Sequence, residues 1–128
     1  LHALVQAGMD GVVATNTTLR RDGIHSPQGR EAGGLSGAPL RHRSTEVVRE
    51  ISQMTGGELP ILAAGGVMDA ESAHEKLQAG ASLVQVFSGL IFRGPGMVRQ
   101  ILIGLSGAKG EGHSTPTQTK APLRRGAG

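Results

Sequence analysis

The sequence predicts an α/β fold built on a parallel sheet, and three observations carry that prediction. Three short apolar runs, Val12–Ala14, Ile61–Ala64 and Leu83–Phe87, read as buried strands. Each gives way to small or hydroxylated residues, namely Thr15-Asn16-Thr17-Thr18, Gly65-Gly66 and Ser88-Gly89. Helical patterns lie before, between and after them, so the order is α, β, α, β, α, β, α, which implies right-handed crossovers in one layer of strands. About three βα units cannot close a barrel of eight, and a small open sheet would leave its edges unpaired. The expected architecture is therefore the C-terminal part of a (β/α)8 barrel, truncated on its N-terminal side. Residues 1–105 form that portion and 106–128 a disordered basic tail.

Each element has a local reason. Leu1, Leu4 and Val5 are spaced as one helical face, and Gly8 stops that helix. Asp10-Gly11 turns the chain into the first strand. Asn16 to Arg43 is a long connection, and connections of that length in compact domains are usually functional or disordered. Ser44 has the chemistry of an N-cap, with Val47, Val48, Ile51 and Met54 forming the apolar stripe of the helix that follows and Gly56-Gly57 its stop. Pro60 precedes the second strand. Asp69 reads as the next N-cap, with Ala73 and Leu77 facing inward and Gly80 ending the helix. Pro95 suits the first turn of a last helix with Val98, Ile101, Leu102 and Leu105 on its apolar face.

Composition excludes several classes of function. The net charge of +3 is accounted for by the last 23 residues, where Lys109, Lys120, Arg124 and Arg125 stand against Glu111. Residues 1–105 are therefore neutral overall. With no Tyr or Trp and two Phe, stacking platforms for bases are nearly absent, and nucleic acid is not an expected partner. The absence of cysteine removes disulfides, thiolate metal sites and thiol nucleophiles. His2, His25, His42, His74 and His113 are scattered without metal-ligand spacing, so no metal is expected. No apolar run approaches the roughly 18 residues of a transmembrane helix.

The strand ends carry the chemistry. Gly65-Gly66 lets backbone N–H groups approach an anion, or is simply a tight turn. Ser88 adds a hydroxyl, and the loops after the last two strands of a (β/α)8 barrel often make a phosphate site. Asn16 offers a donor and an acceptor to an amide or imide edge, or closes an Asx turn. Gly33-Gly34-Leu35-Ser36-Gly37 is flexible enough to lie on a flat ligand, and Leu35 and Pro39-Leu40 suggest a packed loop rather than a linker.

Five motifs now follow one another in order: Gly11-Val-Val-Ala-Thr-Asn-Thr-Thr18, Gly33-Gly-Leu-Ser-Gly-Ala-Pro-Leu40, Leu59-Pro-Ile-Leu-Ala-Ala-Gly-Gly66, Ala79-Gly-Ala-Ser-Leu-Val-Gln-Val-Phe-Ser-Gly89 and Phe92-Arg-Gly-Pro95. Across about residues 1–105 the chain closely resembles the C-terminal part of the dihydroorotate dehydrogenases, in the form of the quinone-dependent, class 2 branch. The resemblance implies a barrel that holds FMN, oxidises dihydroorotate to orotate in pyrimidine synthesis, and passes electrons to a membrane quinone. It implies that Thr15, Gly37 and Gly66 touch FMN, that Phe87 and Ser88 hold its phosphate, and that Asn16 and Thr17 bind substrate. Phe87 stands where the family commonly has Tyr, and Ala63-Ala64 where Gly-Val is commoner. The family's catalytic base, a Ser in this branch, comes from an earlier loop, as do further Lys and Asn contacts. The membrane-docking helical segment is also expected outside this chain, placing the parent enzyme peripherally on the cytoplasmic face of the membrane. No catalytic residue is thus expected within these residues, and the chain alone should be inactive. The alternatives are another FMN-dependent barrel, of the dihydropyrimidine or dihydrouridine reductase type, or a non-catalytic module that binds a phosphate ligand.

Overall fold

A computed structural model of the chain describes Ala3 and residues 6–107. Three parallel strands, β1 (Val12–Ala14), β2 (Ile61–Ala64) and β3 (Leu83–Gln85), lie in the order β1-β2-β3. Val12 pairs with Ile61 and Ala14 with Ala63, while Leu62 pairs with Leu83 and Ala64 with Gln85. Helix α1 (Arg41–Met54) connects β1 to β2, and α2 (Ala70–Gln78) connects β2 to β3. Helices α3 (Ser88–Arg93) and α4 (Gly96–Gly107) follow β3. This is the expected α/β arrangement of about three βα units.

The core has two parts. Ala14, Val48, Ile61, Ala63 and Ala79 pack between α1 and the sheet. Val67, Ala73, Met97 and Ile101 pack where α2 and α4 meet, with Val84, Val86 and Leu105 against them. Between α1 and α2, Arg41 reaches Glu75 with both Nε (2.9 Å) and Nη2 (2.7 Å), and Glu71 lies 3.0 Å from the same Nη2. This forked ion pair raises the guanidinium pKa, chiefly through the bond to Glu75, and lowers that of the Glu75 carboxyl.

Asp69 caps α2 as expected. Its Oδ1 accepts from Ser72 N at 2.8 Å while Ser72 Oγ accepts from Asp69 N at 3.1 Å, a reciprocal capping box. Bonds to Ser72, side chain first, hold the Asp69 carboxyl below its ordinary pKa. Gly80 ends that segment at φ +108°.

Several expectations are corrected. Ser44 does not cap α1. The 3-10 turn Ala38–Leu40, opened by Pro39, already coils the chain, so the helix starts at Arg41 and Ser44 lies buried inside it. Met54, expected on the apolar stripe, is 63% exposed at the last position of α1. The third strand stops at Gln85 rather than Phe87, and the chain enters the short helix α3, which the sequence did not suggest. The outer strands are not buried on both faces: Val13 is 62% and Leu83 64% exposed, because they stand in one row with Leu62, alternating with the residues that pack against α1. On α4, Met97 and Ile101 are buried, whereas Val98 and Leu102 are exposed. That helix runs through Ser106 and Gly107, two residues past the expected start of the tail, and residues 108–128 lie outside the described residues. The helix face expected at Leu1, Leu4 and Val5 also falls outside them.

Candidate cofactor and substrate site

Parallel strands end at one level, so the loops that leave them converge. Thr15 N donates to Ala64 O at 3.0 Å and ties the end of β1 to the end of β2. Beyond these ends lies an open cleft of about 220 Å³. Thr15, Asn16, Thr17, Gly37, Gly66, Phe87 and Ser88, the seven residues singled out in the sequence, all line it. The structure thus brings together residues spread over more than half the chain.

The loop from β1 is braced from above. Thr18 N donates to Leu35 O at 3.0 Å and Leu35 N to Thr18 O at 2.7 Å, an isolated antiparallel bridge that folds the long connection back over its own start. Gly34 lies so close to Thr17 that a Cβ there would overlap the Thr17 hydroxyl. The connection is therefore a packed loop. Asn16 Oδ1 accepts from Thr17 N at 2.8 Å, so its carbonyl serves the local turn. Its amide nitrogen makes no hydrogen bond among the described residues, and the residue is exposed to the cleft.

The loop from β2 is set by its glycines. Gly66 is buried at φ +73°, and a Cβ would strike the backbone of Arg41 at the start of α1. Gly65 O lies 2.8 Å from the Ser44 hydroxyl, which joins this loop to α1 a second time. The loop from β3 leads into α3. No side chain caps that helix, so the N–H groups of Ser88, Gly89 and Leu90 have no acceptor within it. A Cβ on Gly89 would collide with Val67 O and Met97, so a glycine is required for α3 to sit this close to the β2 loop. Ser88 Oγ bonds Ser36 Oγ at 2.9 Å across the cleft. Phe87 is 69% exposed at the rim.

A Ser–Lys pair elsewhere has the look of a nucleophile and base but not the access. Lys76 Nζ donates to Ser44 Oγ, to Thr45 Oγ1 at 2.6 Å and to Arg41 O at 3.0 Å. Ser44 and Lys76 are both 0% exposed, so no substrate reaches them. Burial pushes the Lys76 pKa down to about 8. Among the described residues no group of three His, Asp or Glu side chains could hold a metal ion, and no helix is long and apolar enough to cross a membrane.

Sequence reasoning missed Ser36, Gln85 and Val67 on the cleft wall. Ser36 sits inside the quoted glycine loop, and only its partner Ser88, 52 residues away, shows its use. Gln85 is a polar residue in an apolar strand, a signal that could have found it.

Residues 2–108 match the family model described as dihydroorotate dehydrogenase. The chain is 57% identical over 99 residues to the dihydroorotate dehydrogenase (quinone) of Pseudomonas paraeruginosa, covering 77% of this chain and 29% of that protein. It is 54% identical over 101 residues to the protein of the same name from Aeromonas hydrophila subsp. hydrophila, covering 78% of this chain and 30% of that one. A crystal structure of DHODH from Eimeria tenella in complex with ferulenol superposes with a TM-score of 0.82 at 36% identity, over 86% of this chain and 29% of that chain. The chain thus spans about 29% to 30% of the length of these curated relatives.

Proposed function

Because the chain belongs to the dihydroorotate dehydrogenase family, we propose that it supplies the flavin-phosphate and part of the substrate side of an FMN enzyme that oxidises dihydroorotate to orotate. A quinone is the final electron acceptor in this reading, as the names of the relatives state for those proteins. The observation that carries it is the convergence of three strand-end loops on one cleft.

The residues present suit FMN. A phosphate needs several donors at once, and Ser88 and Gly89, whose N–H groups have no acceptor within their helix, line the same cleft as the Gly66 turn, as does the Ser88 side chain. Gly37, at φ +82°, offers bare backbone to a flat ring. Thr15, the residue after β1, lines the same cleft. Phe87 would serve through its backbone, so the absence of a phenolic hydroxyl there costs little. When bound, FMN supplies the two-electron oxidant for the ring carbon–carbon bond of dihydroorotate. Asn16 and Thr17 would hold the imide and carboxylate edges of that substrate by hydrogen bonds, and such a site rejects analogues lacking those groups.

In this reading residues 1–105 belong to the barrel portion, which α4 carries on to Gly107. The base that takes the substrate proton comes from outside this chain, so the 128-residue chain alone does not turn over. Membrane contact, peripheral and on the cytoplasmic face, is likewise made elsewhere.

Flavin spectroscopy of the full-length protein that carries this segment tests the reading. Orotate should shift the flavin spectrum, and Asn16→Ala and Thr17→Ala should weaken that shift at least tenfold while flavin stays bound. Ser88→Asp, which sets a carboxylate against the phosphate, should lose the flavin on desalting. A flavoprotein whose spectrum ignores saturating orotate would instead be another flavin barrel.

A further inference from the structure

Arg21 is not among the residues lining the cleft, yet its guanidinium makes five hydrogen bonds within the long connection. Nε donates to Gly29 O at 3.1 Å. Nη1 donates to Thr18 O at 3.1 Å and Arg20 O at 3.4 Å, and Nη2 to Gly33 O at 2.5 Å and Glu31 O at 3.4 Å. A guanidinium has one N–H on Nε and two on each terminal nitrogen, all in one plane. All of them meet backbone carbonyls, and no ion pair competes among the described residues. Thr18 and Arg20 belong to the outgoing limb of the loop, whereas Gly29, Glu31 and Gly33 belong to the returning limb.

The returning limb then makes the contacts that shape the site. Gly34 presses on Thr17, Leu35 pairs with Thr18, and Ser36 bonds Ser88. We infer that Arg21 is a positioning residue, clamping the two limbs of this loop so that Asn16 and Thr17 stand preset for the substrate and Ser36 for Ser88. The inference rests on the substrate reading of Asn16 and Thr17 above. Lysine cannot replace it, because three donors on one nitrogen cannot span carbonyls on both limbs.

The test uses the FMN-loaded, full-length protein carrying Arg21→Lys or Arg21→Ala, with Leu19→Ala, an 80% exposed neighbour outside the site, as control. The KM for dihydroorotate should rise at least tenfold in both Arg21 variants while kcat falls less than threefold and flavin content is unchanged. Amides of residues 29–35 should exchange with deuterium at least tenfold faster, with the control like the parent in both respects. A KM within twofold of the parent, a Lys variant that restores it, or unchanged exchange overturns the inference. Should Arg21→Ala fail to fold, the Lys variant, which keeps charge and stem, carries the same readouts. A flavin-loaded parent that does not oxidise dihydroorotate overturns the functional reading and the substrate role of Arg21 with it. Faster exchange in the Lys variant would then still support the clamp.

Discussion

Lys76 puts an ammonium between two helices at 0% exposure, with all three of its protons on oxygen acceptors. Burial lowers its pKa to about 8, with Arg41 adding to the effect and Glu75 opposing it, against 10.5 for a free lysine. Between those two values the unfolded chain binds a proton that the native state does not. Stability therefore rises with pH across that window and is independent of this group below it. The gain is on the order of 3 kcal/mol at most. The chain has no Tyr or Cys to titrate in the same range. Urea midpoints of the folded protein should climb from pH 8 to 10.5, and Lys76→Met should flatten the climb. A wild-type midpoint that falls over this range would contradict the assignment. Asp69 was legible in the sequence because a carboxylate three residues before Ser72, ahead of a helical pattern, has one common use. Lys76 was not, because lysine is rarely fully buried and its partners at 41, 44 and 45 lie a whole crossover away.

At the scale of elements, the site depends on how closely a loop can approach a helix. Gly66 is carried over from the resemblance as a flavin contact, and the structure adds a second demand, its abutment on the Arg41 backbone. Gly66→Ala must therefore both adopt φ +73° and displace α1. It should cost more than about 1 kcal/mol, beyond the ordinary penalty for alanine at positive φ, and be visible as a lower thermal midpoint even without flavin. An unchanged midpoint would show that α1 yields freely. The strands and the bodies of α1, α2 and α4 were readable from apolar spacing and turn residues. The start of α1 and the whole of α3 were not. Pro39 and the 3-10 turn extend α1 upstream by contact with the β2 loop, and α3 contains Ser-Gly followed by exposed Leu90, Ile91 and Phe92, with no stripe to announce it. The candidate site was readable as three strand ends, but the bridge of Thr18 to Leu35 that roofs it is a long-range pairing with no local signal.

At the scale of the molecule, the described sheet has an unpaired edge at β1 and another at β3, with Val13 and Leu83 exposed there. Unpaired edges with apolar side chains invite pairing with other chains. The 128-residue chain on its own should therefore associate, with light scattering reporting species larger than a monomer. Val13→Lys, a charge on that edge, should reduce the association. A wild-type chain that stays monomeric at tens of micromolar would sink this expectation. The alternation of helices and strands made the barrel portion legible, because two crossovers of one hand permit few arrangements.

The register of the sheet sets a rule for what can change. Ala14, Ala63 and Val84 stand side by side in one row. Each lies within one residue of the strand end from which its loop departs for the cleft. One residue added to or removed from any of these strands would shift its loop by about 3.3 Å along the strand and turn every side chain to the opposite face. The sheet works as a ruler. Length is free to vary out in the turn around Gly23, where a side chain would meet open space. It is not free within the ten residues of β1, β2 and β3, where a single-codon indel would put the three loops out of step.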